Sequence, residues 1–188
     1  MRLFAAIVPP LHVREELVEE LLAAGAGPRE LDLVPVRDLR LPVTSFGHVS
    51  QGDGVQLLGH LARSARAWPR AELRFNGSAA LEWPGDRCVW ARLDGDVDGL
   101  LTVGRGVPPA VQRLGFLVDR RVFRPWMSVG SITDETSAPF LEHLVARLDE
   151  FKGTMWTLST LTVMRKVPTD DHGGVEEVVH EEIPLGTA

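Results

Sequence analysis

Two phrases decide the reading of this chain: Val34-Pro35-Val36-Arg37-Asp38-Leu39-Arg40-Leu41-Pro42-Val43-Thr44 and, far downstream, Phe123-Arg124-Pro125-Trp126-Met127-Ser128-Val129. In the first, Leu39, Leu41 and Val43 alternate with Arg40, Pro42 and Thr44. In the second, Met127 and Val129 alternate with Trp126 and Ser128. A period of two marks a strand with one face in the core. The spacing therefore predicts strands over 39–44 and 124–131. It sends Arg40, Pro42 and Thr44 to the non-core face of one, and Trp126 and Ser128 to that of the other.

Outward from these strands the chain reads as alternating elements. Residues 2–8 are short, apolar and stopped by Pro9-Pro10, which predicts a buried strand rather than a signal peptide. Residues 11–24 carry Leu11, Val13, Leu17, Leu21 and Leu22 near helical spacing, ended by Gly25-Ala26-Gly27-Pro28. A short extended piece is expected at 31–36 and a helix at 53–67. A hairpin is expected over 70–83, turning at Asn76-Gly77. Then come a strand at 87–93, a partly helical stretch at 96–115 interrupted by Gly104, Gly106 and Pro108-Pro109, and a helix at 136–151. Strands at 154–167 and 175–183 are joined by the polar turn Asp170-Asp171-His172-Gly173-Gly174. The order repeats after about ninety residues, giving similar halves of about 1–85 and 86–188. The fold class is α+β: two pseudo-symmetric lobes of antiparallel sheet plus helices, around a central cleft lined by the strands at 39–44 and 124–130.

Composition narrows the function. The chain has 188 residues, 44% hydrophobic and 24% charged, which suits one globular domain with a sizeable core. No apolar run is long enough to span a membrane. The net charge of −6 disfavours tight, sequence-independent nucleic-acid binding, which runs on phosphate neutralisation, so DNA is not expected as a partner. One cysteine, Cys88, excludes an internal disulfide and fits a reducing, cytoplasmic setting. Eighteen arginines against two lysines reflect coding bias more than function.

The phrases resemble those of the two-histidine phosphoesterases, in their 2′-5′ RNA ligase or RNA 2′,3′-cyclic phosphodiesterase-like branch. That branch opens with a strand like Met1 to Val8, then prolines and a helix. Its first motif follows a phrase like Val34 to Leu39 and precedes one like Phe46-Gly47-His48-Val49. Its second follows Phe123-Arg124-Pro125, and a phrase like Val178 to Gly186 closes the chain. The resemblance spans nearly all of the sequence, in order. It implies two His-x-Thr/Ser-x motifs facing each other across the cleft, one imidazole taking a proton from water and the other giving one to the leaving oxygen.

The motif residues depart from that pattern. The histidine positions are Arg40 and Trp126; the hydroxyl positions are Pro42 and Ser128. Arg40 stays charged and is no base. Trp126 offers only an indole N–H, and Pro42 has neither hydroxyl nor N–H. No catalytic residue of the family type is present. The expectation is a protein inactive in the family reaction whose cleft binds a nucleotide or RNA end through Arg40, Trp126, Ser128, Arg124 and Arg121. Arg40 would grip a phosphate with its fork, and Trp126 would stack on a base. Two alternatives stay open: an active phosphoesterase using other residues, and a structural or interaction protein whose cleft is closed by Trp126 packed over Arg40.

Other candidates are weaker. Asp94-Gly95-Asp96-Val97-Asp98-Gly99 imitates a calcium loop, but Arg105 stands where the last ligand is needed; a helix-capping turn is the plainer reading. The histidines His12, His48, His60, His143, His172 and His180 show no metal spacing. Neither metal nor cofactor is expected. Cys88 has no histidine near it in sequence. Arg120, Arg121 and Arg124 form a candidate basic rim. Trp68, Trp83, Trp90 and Trp156 read as core or rim packing.

Overall fold

The computed structural model describes residues 1–112, 114–116, 118, 122–169 and 174–186. The expected Asp170–Gly173 part of the last turn, with His172, lies outside them, as do Arg120 and Arg121. The elements run β1 (Arg2–Ile7), α1 (Leu11–Ala23), β2 (Leu31–Leu33), a 3₁₀ turn (Val36–Asp38), β3 (Leu41–His48), α2 (Gln51–Ala65) and β4 (Ala71–Ala80). They continue with β5 (Cys88–Gly95), α3 (Val97–Gln112), β6 (Trp126–Ile132), α4 (Ala138–Glu150), β7 (Trp156–Leu158), β8 (Thr160–Pro168) and β9 (Val175–Pro184). The fold is α+β, with one sheet ordered β3-β1-β8-β9 and the other β2-β6-β5-β4-β7.

The two sheets share a plan. β1 lies between β3 and β8, antiparallel to both. β5 lies between β6 and β4, again antiparallel to both. The run β1-α1-β3-α2-β4 thus matches β5-α3-β6-α4-β8, except that the last strand of each run pairs in the other sheet. A single core cluster joins the two sheets and draws on all four helices. No helix among the described residues is long and apolar enough to cross a membrane.

Both motif strands carry a bulge at the same place. Opposite β1, Pro42 pairs with Ala6 and Thr44 with Ala5, leaving Val43 as the extra residue. Opposite β5, Ser128 pairs with Trp90 and Gly130 with Val89, leaving Val129 extra. A bulge shifts the phase of alternation beyond it. This corrects one expectation: Thr44 is buried, across from buried Ala5, and Ser45 takes the outer face beside Phe4. Pro42 is tolerated because β3 is an edge strand, where a missing N–H breaks no ladder.

Three further expectations are corrected. Asn76-Gly77 turns no hairpin. β4 runs straight through it, and the two residues face Arg92 alone between the pairs Phe75–Leu93 and Ser78–Ala91. Gly77 supplies the positive φ, 89°, of a bulge instead of a turn. Nor do Gly104, Gly106 and the two prolines interrupt α3. Its buried stripe of Leu100, Val103, Val107 and Val111 holds the helix on the core, and packing outweighs propensity. The glycines are points of close approach: a Cβ at Gly104 would meet the Phe123 ring and one at Gly106 the Trp68 indole. Finally, the 154–167 stretch splits at Ser159 into β7 and β8, which join different sheets.

Candidate functional site

Between the sheets lies an open cleft of about 900 Å³, lined by Arg40, Pro42, Trp126, Ser128 and Arg124 with residues of β1, β5, β8 and β9. The structure therefore brings together the motif residues singled out in the sequence. β3 and β6 approach each other across it. The position of Arg40 is set from behind: Arg14 of α1 donates to the Val36 carbonyl oxygen at 2.8 Å, fixing the 3₁₀ turn that leads into Arg40.

The wall from the four-stranded sheet is charged but balanced. Arg40 lies over the Phe4 ring, 5.7 Å from its centroid, and pairs with Glu177 of β9. A carboxylate oxygen of Asp38 stands 3.8 Å from the Arg40 guanidinium. Lys166 of β8 lies over the same Phe4 ring at 5.6 Å and reaches Glu177 at 2.9 Å. Burial pulls the Arg40 pKa below its ordinary value; Asp38 works against this and Arg14 adds to it. The ordinary arginine value is so high that Arg40 remains a cation.

The facing wall is aromatic and cationic. The register of β5 against β6 places Arg92 opposite Trp126 and Trp90 opposite Ser128. Arg92 and Arg124 each lie 5.1 Å from the Trp126 ring centroid, and Arg124 is also 5.3 Å from that of Trp83. Trp83 and Trp90 contact each other at 5.8 Å. Asp86 ties their loop down, accepting from Trp90 Nε1 at 3.0 Å, Cys88 N at 2.9 Å and Glu82 N at 3.1 Å. The ring that Arg40 covers is Phe4, and the cations on Trp126 are Arg92 and Arg124, so the closing of the cleft by an Arg40–Trp126 stack is not the arrangement found.

The sequence reading had Trp83 and Trp90 as core or rim packing, and they stand in the cleft lining; it missed Phe4, Asp38, Lys166 and Glu177 there, and Arg92 against Trp126. For Trp90 and Arg92 a signal existed: they alternate with buried Val89, Ala91 and Leu93. Lys166 and Glu177 are hairpin partners that only strand register brings together. Trp68 and Trp156 are core residues, as expected. Asp96 accepts from Gly99 N at 2.9 Å, which is the capping turn rather than a calcium loop. Among the described residues, no cluster of three His, Cys, Asp or Glu side chains could hold a metal. No histidine is among the described residues lining the cleft; His48 pairs with Arg2 at the last position of β3.

This arrangement of two sheets around a cleft matches solved structures over nearly the whole chain. TT0787 of Thermus thermophilus superposes with a TM-score of 0.74 at 22% identity, covering 100% of both chains. LigT of E. coli in its apo form gives 0.75 at 18%, over 99% of this chain and 98% of LigT. LigT with 3′-AMP gives 0.72 at 18%, over the same shares. The chain has the LigT fold. That is the fold implied by the resemblance to two-histidine phosphoesterases. No protein-family model and no curated protein matches the sequence. In this LigT fold, then, the described lining of the cleft contains two facing motif strands, three tryptophans, three cations and two carboxylates. Its carboxylates Asp38 and Glu177 are both ion-paired. Binding is within the chemistry of these groups; proton exchange of the two-imidazole kind is not.

Proposed function

We propose that this chain is a two-histidine phosphoesterase relative that binds a nucleotide or an RNA 3′ end and does not hydrolyse 2′,3′-cyclic phosphodiesters. One observation carries the reading: Arg40 and Trp126, at the two positions matched to the histidines, line one open cleft with no histidine among its described lining residues. Losing acid and base together removes most of the catalysis, each contributing about 10²–10⁴-fold. The aromatic wall supports a nucleotide as ligand, since a base stacked on an indole gains about 1–3 kcal/mol. E. coli LigT has been crystallised with 3′-AMP, with ATP and with NADP+, which makes nucleotides the first ligands to test. A reducing, cytoplasmic setting belongs to the same reading, resting on the lone Cys88.

The deciding experiment is single-turnover hydrolysis of a short RNA ending in a 2′,3′-cyclic phosphate, at high protein concentration, beside an Arg40→Ala/Trp126→Ala double variant. A fluorescence titration with the same RNA ending in a free 3′ hydroxyl runs in parallel. The expected result is saturable quenching of the native protein and no turnover above the double variant. Turnover in the native protein that disappears in the double variant would show catalysis by other groups and overturn the reading.

A further inference from the structure

Arg40 and Lys166 reach the same carboxylate from different directions. Lys166 stands opposite Glu177 in the β8–β9 register. Arg40 comes from the far edge of the sheet, over the Phe4 ring of β1. Each takes a different oxygen of Glu177: Lys166 takes Oε1 and Arg40 takes Oε2. Two cations gripping two oxygens of one anion is how a pair of basic side chains holds a phosphate. All three side chains line the cleft. We propose that Glu177 is an internal counter-anion: it fills the anion subsite formed by Arg40 and Lys166, so that the cleft disfavours ends carrying a terminal phosphate.

The physical case rests on charge and tethering. The Arg40 side chain is only 14% exposed and Glu177 21%, so each needs the other's charge. Glu177 is covalently attached and loses no translational freedom on occupying the subsite, whereas a free phosphate does. A phosphate entering without displacing Glu177 would bring negative charge beside it and beside Asp38, which is already near Arg40. Repulsion at such range in a partly dry site is strong. A nucleoside end without a phosphate leaves the Arg40–Glu177–Lys166 bridge intact and can still stack on the tryptophan wall. The inference uses the nucleotide reading only to say what carries the phosphate.

The test uses the full chain and three probes: inorganic phosphate, 3′-AMP and adenosine. The proteins are wild type, Glu177→Gln, Glu177→Ser and Arg40→Ala/Glu177→Gln, each checked by circular dichroism; serine serves if the glutamine variant misfolds. Phosphate affinity, followed by phosphorus NMR, should rise about tenfold or more in both single variants, the usual scale of a charge-assisted contact. It should fall back in the double variant, while adenosine affinity in the two single variants stays that of wild type. Equal phosphate affinity in wild type and both single variants would overturn the inference. So would a wild type that binds 3′-AMP much more tightly than adenosine, although nucleotide binding itself would then stand. A gain in phosphate affinity with no nucleotide binding by any variant would support the counter-anion and sink the nucleotide reading.

Discussion

An arginine and a tryptophan keep their charge states through the neutral range, so what each contributes depends on its neighbours. Arg40 meets Glu177 and Phe4, and Trp126 meets Arg92 and Arg124. Trp126→Ala should weaken nucleotide binding by about 1–3 kcal/mol, with Trp126→Phe close to wild type, as read by isothermal titration calorimetry. An alanine variant that binds as tightly as wild type would move the ligand off this wall. Asp86 gives a pH prediction. Burial pushes its pKa up, but hydrogen bonds from Cys88, Trp90 and Glu82 outweigh that and hold it below the ordinary value. Its folded pKa is therefore depressed. Its contribution to the Trp83–Trp90 loop is fully present above the ordinary carboxylate value and is lost as pH falls through the lower folded one. An acid titration of tryptophan fluorescence should show this step, and Asp86→Asn should abolish it. Alternation put Arg40 and Trp126 on the face opposite the core, and the resemblance to the two-histidine phosphoesterases marked them as site positions. Glu177 could not, because nothing local to β9 says that Arg40 crosses two strands to meet it.

The elements are where local signals met competition. The dipeptide Asn76-Gly77 has the right φ preference for a hairpin, and a bulge uses the same preference. What decided was the pairing of β4 on both sides of it with one strand, β5. Gly77 and Gly104 should therefore fail for different reasons when changed to alanine. At Gly77 the nearest atom to an added Cβ is 3.7 Å away, so the cost is the backbone at φ 89°, about 1–2 kcal/mol. At Gly104 the added Cβ meets the Phe123 ring, and the cost is overpacking, about 1–3 kcal/mol. Urea unfolding should show both as lowered midpoints with unchanged slopes. A conservative change at the facing residue, Phe123→Leu, should recover stability in the Gly104 variant and not in the Gly77 one. The paired bulges at Val43 and Val129 have no sequence mark, since the pattern around each reads as plain alternation.

At the scale of the whole molecule, the exchange of β4 and β8 between sheets ties the two halves together. β4 has no strand neighbour from its own half of the chain: it pairs with β5 and β7, while β1 pairs with β8. Residues 1–85 expressed alone should lack stable structure by circular dichroism, and the intact chain should unfold in a single transition seen alike by fluorescence and far-ultraviolet dichroism. A folded 1–85 fragment would show that these pairings are dispensable. The sequence by itself determined most of the elements, their order and the identity of residues 40 and 126, because periodicity and side-chain identity are local properties. Only the tertiary structure decided which strand lies beside which, where the alternation slips, and which charge answers Arg40. Those depend on hydrogen-bond register and on contacts between residues far apart in the chain, and a single sequence carries no local trace of either.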